Sequence, residues 1–405
     1  MPDVDEFQLS GSTLTELFAT RVRPFIFRGY EAQAHPTYAL VGAQQGAGKS
    51  QAIAARRQRS DGRHLVPLGP DDLRPFHPQY ERLMRTAPAL MKDATVQATS
   101  AWVAMARQHA ITHRYSLLAE STFKEPRVIL TTAREFAANG YTVEVTALAV
   151  REERSRLDTL NRYLPAADAM PGRWVTPSRH DQAYAMIPAF LAAAENDHAV
   201  HQIQITNRSA DPLYDNVRAS DGQWLREPSA AAVLHQERAK PFIHEEARGW
   251  LELHHDVVLN FAAAGQVNTH THDVLQQVLI DGQTIETMTT GGQRPEVRAA
   301  LRHVVSGQLK AEPWSIETSV GFLSARATLD HVFAASHPAQ LTAIDAVSAG
   351  RLHKGAVDQY STVRLAARAF PLTAGQATSV PQPDEPQSGH GSFPDEPRRH
   401  PGLER

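Results

Sequence analysis

The stretch TYALVGAQQGAGKSQAIAARRQR, residues 37–59, decides how the rest of the chain is read. An apolar run, Tyr38 to Val41, leads into a glycine-rich turn, and the turn leads into a segment of helical composition. The pattern G-x-x-x-x-G-K-[ST] marks a loop whose backbone N–H groups cradle phosphates, with the lysine on the β- and γ-oxygens and the hydroxyl on Mg²⁺. Here Gly48, Lys49 and Ser50 fill its last three places. Counting back from Gly48 puts Ala43 at the first glycine position, with Gly42 one place too early. Alanine fits there if its backbone does not need a positive φ. A strand before the turn and a helix after it, its N-terminus facing the phosphates, supply the setting the motif requires. The bland alternative is a Gly-Ala turn with an exposed lysine.

Outward from this stretch, strand-like and helix-like segments alternate. Residues 37–43, 64–69, 115–121, 141–150 and 199–208 are short apolar or alternating runs, and 91–110 and 127–138 between them have helical period. Asn139-Gly140 is a helix stop. Strands separated by helices imply crossovers and a mostly parallel sheet covered on both faces, an α/β domain. After about residue 228 helical periodicity takes over, and 371–405 is rich in Pro, Gly, Ser and charge. The expected organisation is an N-terminal helical segment (1–35), the α/β domain (36–227), a helical C-terminal region (228–370) and a disordered tail (371–405). No internal repeat stands out.

Composition narrows the classes of function. The chain has 405 residues, 42% hydrophobic and 21% charged, with a net charge of -3. No overall basic field calls for nucleic acid or an anionic membrane. With no cysteine, disulfides, thiolate catalysis and cysteine-held metal are excluded. The acidic N-terminus does not read as a secretory signal, and no apolar run approaches the roughly 20 residues that span a bilayer. A soluble, cytoplasmic protein is the expectation.

Chemistry-bearing residues cluster at strand ends, where ligands bind in open parallel sheets. Asp71 and Asp72 follow the second strand: either could take the proton of an acceptor hydroxyl, or both could cap the next turn. Glu120 and Thr122 follow the third strand in LLAEST; a carboxylate there could hold substrate or order Mg²⁺ through water, or simply face solvent. Residues 151–184 are rich in arginine around a Pro/Gly loop, and Arg162 and Arg173 flank it as candidates for embracing a transferring phosphoryl group.

Taken in order, AQQGAGKS, DDLRPFHPQY, AESTFKEPRVILTTAREFAANGYTVEVTALAV and NRYLPAADAMPGRWVTPSRHD resemble the zeta toxin family. These are P-loop kinases of bacterial toxin-antitoxin systems that use ATP to phosphorylate the 3′-hydroxyl of UDP-N-acetylglucosamine. The resemblance covers roughly residues 36–207 and implies a P-loop kinase-like three-layer fold. It implies that Gly46, Ala47, Gly48, Lys49, Ser50 and Gln51 hold the nucleotide and Ser50 the Mg²⁺. Asp71 falls on the catalytic base, in a D-x-F-[KR]-x-x-H-P pattern where Leu73 replaces the aromatic. Glu120 and Thr122 fall on a substrate-binding E-G-T with Ser121 at the glycine, Thr132 on a further substrate contact, and Arg162 and Arg173 on the arginines of the ATP phosphates. A small helical antitoxin that covers the nucleotide site is the implied partner. Two other readings stand beside this one: a phosphotransferase for another hydroxyl, in an antibiotic or a nucleoside, and a nucleotide-binding module without efficient turnover. His77 reads as a packed structural histidine. His270 to Asp273, HTHD, looks like a metal pair, but no partner ligands can be nominated for it and no metal other than Mg²⁺ is assigned.

Overall fold

The computed structural model describes residues 4–59, 64–87, 90–164, 174–264, 266–289, 301–302 and 305. Six strands form one sheet: β1 (Thr37–Gly42), β2 (Val66–Leu68), β3 (Leu117–Ser121), β4 (Thr142–Leu148), β5 (Gln202–Thr206) and β6 (Pro212–Val217). Their order is β2-β3-β1-β4-β5-β6, with the first five parallel and β6 antiparallel to β5. The helices are α1 (Gly11–Leu17), α2 (Arg23–Phe27), α3 (Lys49–Gln58), α4 (Tyr80–Thr86), α5 (Met91–His113), α6 (Pro126–Ala138), α7 (Glu152–Tyr163), α8 (Pro177–Glu195), α9 (Ala230–Ala239), α10 (His244–Ala263) and α11 (His272–Glu286). The mostly parallel α/β architecture is the one the alternating pattern implied.

Alternation along β1 shows why the sheet needs two covers. Tyr38 and Leu40 enter one core with Trp102 of α5, Phe136 of α6 and Phe190 of α8, whereas Ala39 and Val41 enter another with Ala52 of α3. With a side-chain period of two, both faces of this central strand are buried, and it reads as a continuous apolar run. Helix α5 meets the sheet core through Ala98, Trp102, Ala106 and Ala110, a four-residue spacing that lines one face. The N-terminal helices add Leu14, Val22, Ile26 and Phe27 to the same core, and Trp102 donates its indole N–H to the carbonyl of Leu14 at 3.0 Å.

Strand β6 escaped the sequence reading. It begins with proline and carries Asp215 and Asn216, a composition that reads as loop; an antiparallel edge tolerates both. The turn before it is closed by Asn207 and Asp211, which exchange two hydrogen bonds at 2.8 and 2.9 Å.

Beyond the sheet, α10 and α11 share a core with α7. Leu157 and Leu160 of α7 are buried with Trp250, Val258 and Phe261 of α10 and Leu275 and Val278 of α11. Each such side chain contributes about 2 kcal/mol when removed from water. Arg156 of α7 pairs with Asp281 of α11, both buried, and Trp250 donates to the carbonyl of Glu153 at 3.1 Å. The expected helical stretches after residue 289 and the tail at 371–405 lie outside the described residues, apart from 301–302 and 305. Among the described residues no helix is long and apolar enough to cross a membrane.

Candidate active site

The loop after β1 turns at two glycines. Gly46 and Gly48 have φ of 77° and 92°, in the left-handed region that glycine adopts without strain. A Cβ at Gly46 would lie 2.0 Å from the carbonyl oxygen of Ser155 on α7, so glycine is required twice over. Ala43 is absent from the residues with positive φ and is fully buried, which accounts for alanine at the first motif position. The early glycine has a different reason. A Cβ at Gly42 would stand 2.2 Å from the ring of Phe123, which is buried against Phe190 with centroids 4.0 Å apart. Phe123 itself holds a φ of 55°, rare for so bulky a residue. Strain is thus stored in the turn that follows Glu120 and Thr122.

Lys49 opens α3. It is 8% exposed, donates to the carbonyls of Ala43 (3.0 Å) and Gln44 (3.1 Å), and stands 3.7 Å from Oε1 of Glu120. The phosphate-loop lysine and the carboxylate of the proposed acceptor motif therefore meet in one place. Ala47 is buried, whereas Ser50 and Gln51 in the first turn of α3 are exposed. The Ser50 hydroxyl has no hydrogen-bond partner among the described residues. An exposed hydroxyl beside two backward-bent glycines fits a Mg²⁺ that keeps most of its waters and takes its other ligands from phosphate.

In the sheet register Ala119 pairs with Leu68 and Glu120 pairs with Val41, so the ends of β1, β2 and β3 converge. Asp71 lies three residues past β2, its side chain 61% exposed, and Arg74 clamps Oδ1 with Nε at 3.0 Å and Nη2 at 2.7 Å. Arg74 is in turn held at the start of α5 by Thr95 Oγ1 (3.0 Å) and the carbonyl of Lys92 (3.3 Å). Asp72 folds back over Gly69, and burial together with the charge of Asp71 raises its proton affinity. Leu73 is buried in the core. His77 is buried too: Nδ1 accepts from the N–H of Gln79 at 3.2 Å, which leaves Nε2 to donate to the carbonyl of Phe7 at 3.0 Å. Both nitrogens are spent on backbone, and burial lowers the ring's proton affinity. Ser121, at the position of a family glycine, accepts the N–H of Phe123 through Oγ at 3.1 Å and so braces the strained turn.

Other candidates are not drawn together. Thr132 sits in the second turn of α6, its hydroxyl bonded to the carbonyl of Val128 at 3.2 Å. Arg162 is exposed in the last turn of α7, seven residues beyond Ser155 and so about 10 Å further along the helix. Arg173 lies outside the described residues. At His270 to Asp273, His272 Nδ1 is 3.4 Å from Asp273, and no cluster of three metal-ligating side chains occurs among the described residues.

Two contacts of the loop had no signal in the motif. Arg208, just past β5, donates to the carbonyl of Gly46 at 3.3 Å and pairs with Asp158. Gln44, fully buried, donates to the carbonyl of Val150 (2.9 Å) and to Ser155 Oγ (3.1 Å) and accepts from Arg238 Nη2 at 3.1 Å. Arg238 of α9 also rests on the ring of Tyr184, 3.8 Å from its centroid, and burial pushes its pKa down to about 10. Ser155, His180 and Asp181 continue this chain at 2.8 and 2.9 Å. The order mimics a hydrolytic triad, but Ser155 is fully buried and its hydroxyl is shared with Gln44, so the chain braces the loop.

Comparison with known proteins agrees with this geometry. Residues 26–219 match the family described as zeta toxin. Toxin zeta of Enterococcus hirae is 28% identical over 199 residues, covering 47% of this chain and 68% of the relative. Toxin PezT of Streptococcus pneumoniae is 28% identical over 195 residues, covering 47% and 75%. A solved structure from the PezAT chromosomal toxin-antitoxin system of Streptococcus pneumoniae shares the fold, with a TM-score of 0.51 at 23% identity over 62% of this chain and 96% of that one. The resemblance carried by the four sequence stretches is therefore borne out: residues 26–219 match the zeta toxin family, and the fold is that of the PezAT toxin structure.

Proposed function

We propose that the chain is an ATP-dependent phosphotransferase of zeta toxin type, acting in the cytoplasm on the 3′-hydroxyl of UDP-N-acetylglucosamine. The observation that carries this reading is the 3.7 Å approach of Lys49 to Glu120, which joins the donor-phosphate loop to the acceptor-side strand end. The acceptor hydroxyl attacks the γ-phosphorus, its proton passes to Asp71, and the bond to the bridging oxygen of ADP breaks. Arg74 holds Asp71 in place, and Lys49 with the loop N–H groups stabilises the charge on the transferring oxygens. Ser50 would hold Mg²⁺, which when bound neutralises β- and γ-phosphate charge. We assign Arg162 and Arg173 to the donor phosphates and Thr122 and Thr132 to the acceptor.

A groove of about 910 Å³ beside Asp71 supports a phosphate-bearing acceptor. It is lined by Arg21 and Arg28, exposed and without a carboxylate partner among the described residues, and by Phe25, 60% exposed, whose ring lies 5.1 Å from that of Phe76. Cations and an open aromatic face suit a nucleoside diphosphate better than a polycationic antibiotic. The partner we propose is a small helical antitoxin, by analogy with the PezAT system.

The test is an acceptor screen with ATP and Mg²⁺, read by mass spectrometry for the gain of one phosphoryl group. UDP-N-acetylglucosamine should gain it, and aminoglycosides and free nucleosides should not. Phosphorylation of one of those in its place would overturn the acceptor assignment while leaving the transferase.

A further inference from the structure

In-line transfer puts the attacking and leaving oxygens on opposite sides of the phosphorus. Asp71 and Glu120 stand at the ends of β2 and β3, on one side of β1, so the leaving nucleoside diphosphate must extend the other way, across the ends of β4 and β5. A cavity of about 430 Å³ lies there, a size that suits a small-molecule ligand. Val150 after β4 and Arg208 after β5 line it, and Arg208 also touches the carbonyl of Gly46, which makes the cavity contiguous with the phosphate loop.

Its far wall comes from the α9–α10 connection, residues 240–243, outside the segment that matches the family. Phe242 and Ile243 face the cavity there, and Ile243 is 63% exposed. Arg151 fastens this connection, bonding to the carbonyl of Lys240 and resting 4.6 Å from the centroid of the Phe242 ring. The cations around the cavity are engaged by carboxylates: Arg151 by Glu153, Arg154 and Arg208 by Asp158, Lys240 by Glu237. What remains is a slot of mixed lining beside the phosphate loop, with Val150, Phe242 and Ile243 as apolar surface for a base and Asn207 and Ser209 as polar groups for a ribose.

We propose that this cavity receives the nucleoside of the phosphoryl donor, and that Phe242 and Ile243 are its outer wall. The inference rests on the phosphate-loop reading above and adds a subsite built by the C-terminal region. Inorganic tripolyphosphate is the probe that separates the two, because it offers the phosphates without the base. Dissociation constants for ATP and tripolyphosphate, both with Mg²⁺, would be measured on the full chain, on Phe242→Ala and on Ile243→Glu, the latter at a position exposed enough to spare folding. Loss of a base-stacking ring is expected to weaken ATP about tenfold in Phe242→Ala, with Ile243→Glu moving in the same direction and tripolyphosphate unchanged. A ratio of ATP to tripolyphosphate affinity equal to wild type in both variants would overturn the subsite alone. Wild-type protein that binds neither probe, or Lys49→Ala that binds both as tightly as wild type, would overturn the phosphate loop and the subsite with it.

Discussion

At the residue scale, the proposed transfer depends on how Asp71 is held. Both Arg74 donors converge on Oδ1, so the guanidinium acts as a fork that fixes the carboxylate. Arg74→Lys keeps the charge but loses the fork, and we expect kcat to fall about tenfold with ATP affinity unchanged, since an arginine fork is not replaced by a point charge. A change in ATP affinity at constant kcat would place Arg74 in the nucleotide site. The glycine-rich turn with Lys49 and Ser50 and the acidic pair after β2 stood out in the sequence because their signals are local, a strand followed by a fixed spacing. Spacing alone left Asp71 and Asp72 equal, and only the resemblance favoured Asp71; their surroundings differ in the fold, where Arg74 engages Asp71 and Asp72 folds over Gly69.

At the scale of elements, the phosphate loop is set by contacts that spacing alone does not reveal. Gln44 and Arg238 are 194 residues apart, so no local pattern links them, although they hydrogen-bond. Gly42 read as a misplaced motif glycine, and its role appears only when Phe123 is seen against it. Gly42→Ala should destabilise the domain by about 1–3 kcal/mol through overpacking. The combination with Phe123→Leu should cost less than the sum of the single changes, since the two residues compete for one space. Strict additivity in denaturant unfolding would show that the clash is relieved elsewhere. Strand β1 was legible as an apolar run and β4 as an alternating one; β6, as long as β1 but polar at a sheet edge, gave neither pattern.

At the scale of the whole molecule, α10 and α11 are fastened to α7 through a shared core and the Arg156–Asp281 pair. The periodicity after residue 228 announced helices, but their seat on α7 depends on tertiary packing. Their core contains His254, stacked on Trp250 at 5.0 Å, with no hydrogen-bond partner on either nitrogen in the described structure, and burial lowers its pKa to about 3. The folded pKa lies below the unfolded one, so the unfolded chain takes up the proton first as pH falls. This contribution to stability is complete above about 6.5 and is lost progressively toward 3, amounting to about 2 kcal/mol by pH 5. His77 and His180, lowered in the same direction, add to the trend. Urea unfolding at pH 7 and pH 5 should show the loss, and His254→Leu should flatten the slope; an unaltered slope in that variant would exclude His254 as its source.

Transfer itself is the most direct test of whether donor loop and acceptor strand ends form one working site. The rate at which UDP-N-acetylglucosamine gains a phosphoryl group from ATP should be followed for wild type and for Asp71→Asn, with the ATP dissociation constant measured on both. The expected result is a phosphorylated product whose formation slows at least about a hundredfold in the variant while ATP affinity is kept. Equal rates in the two proteins, or ATP binding by wild type with no phosphorylated product, would contradict it.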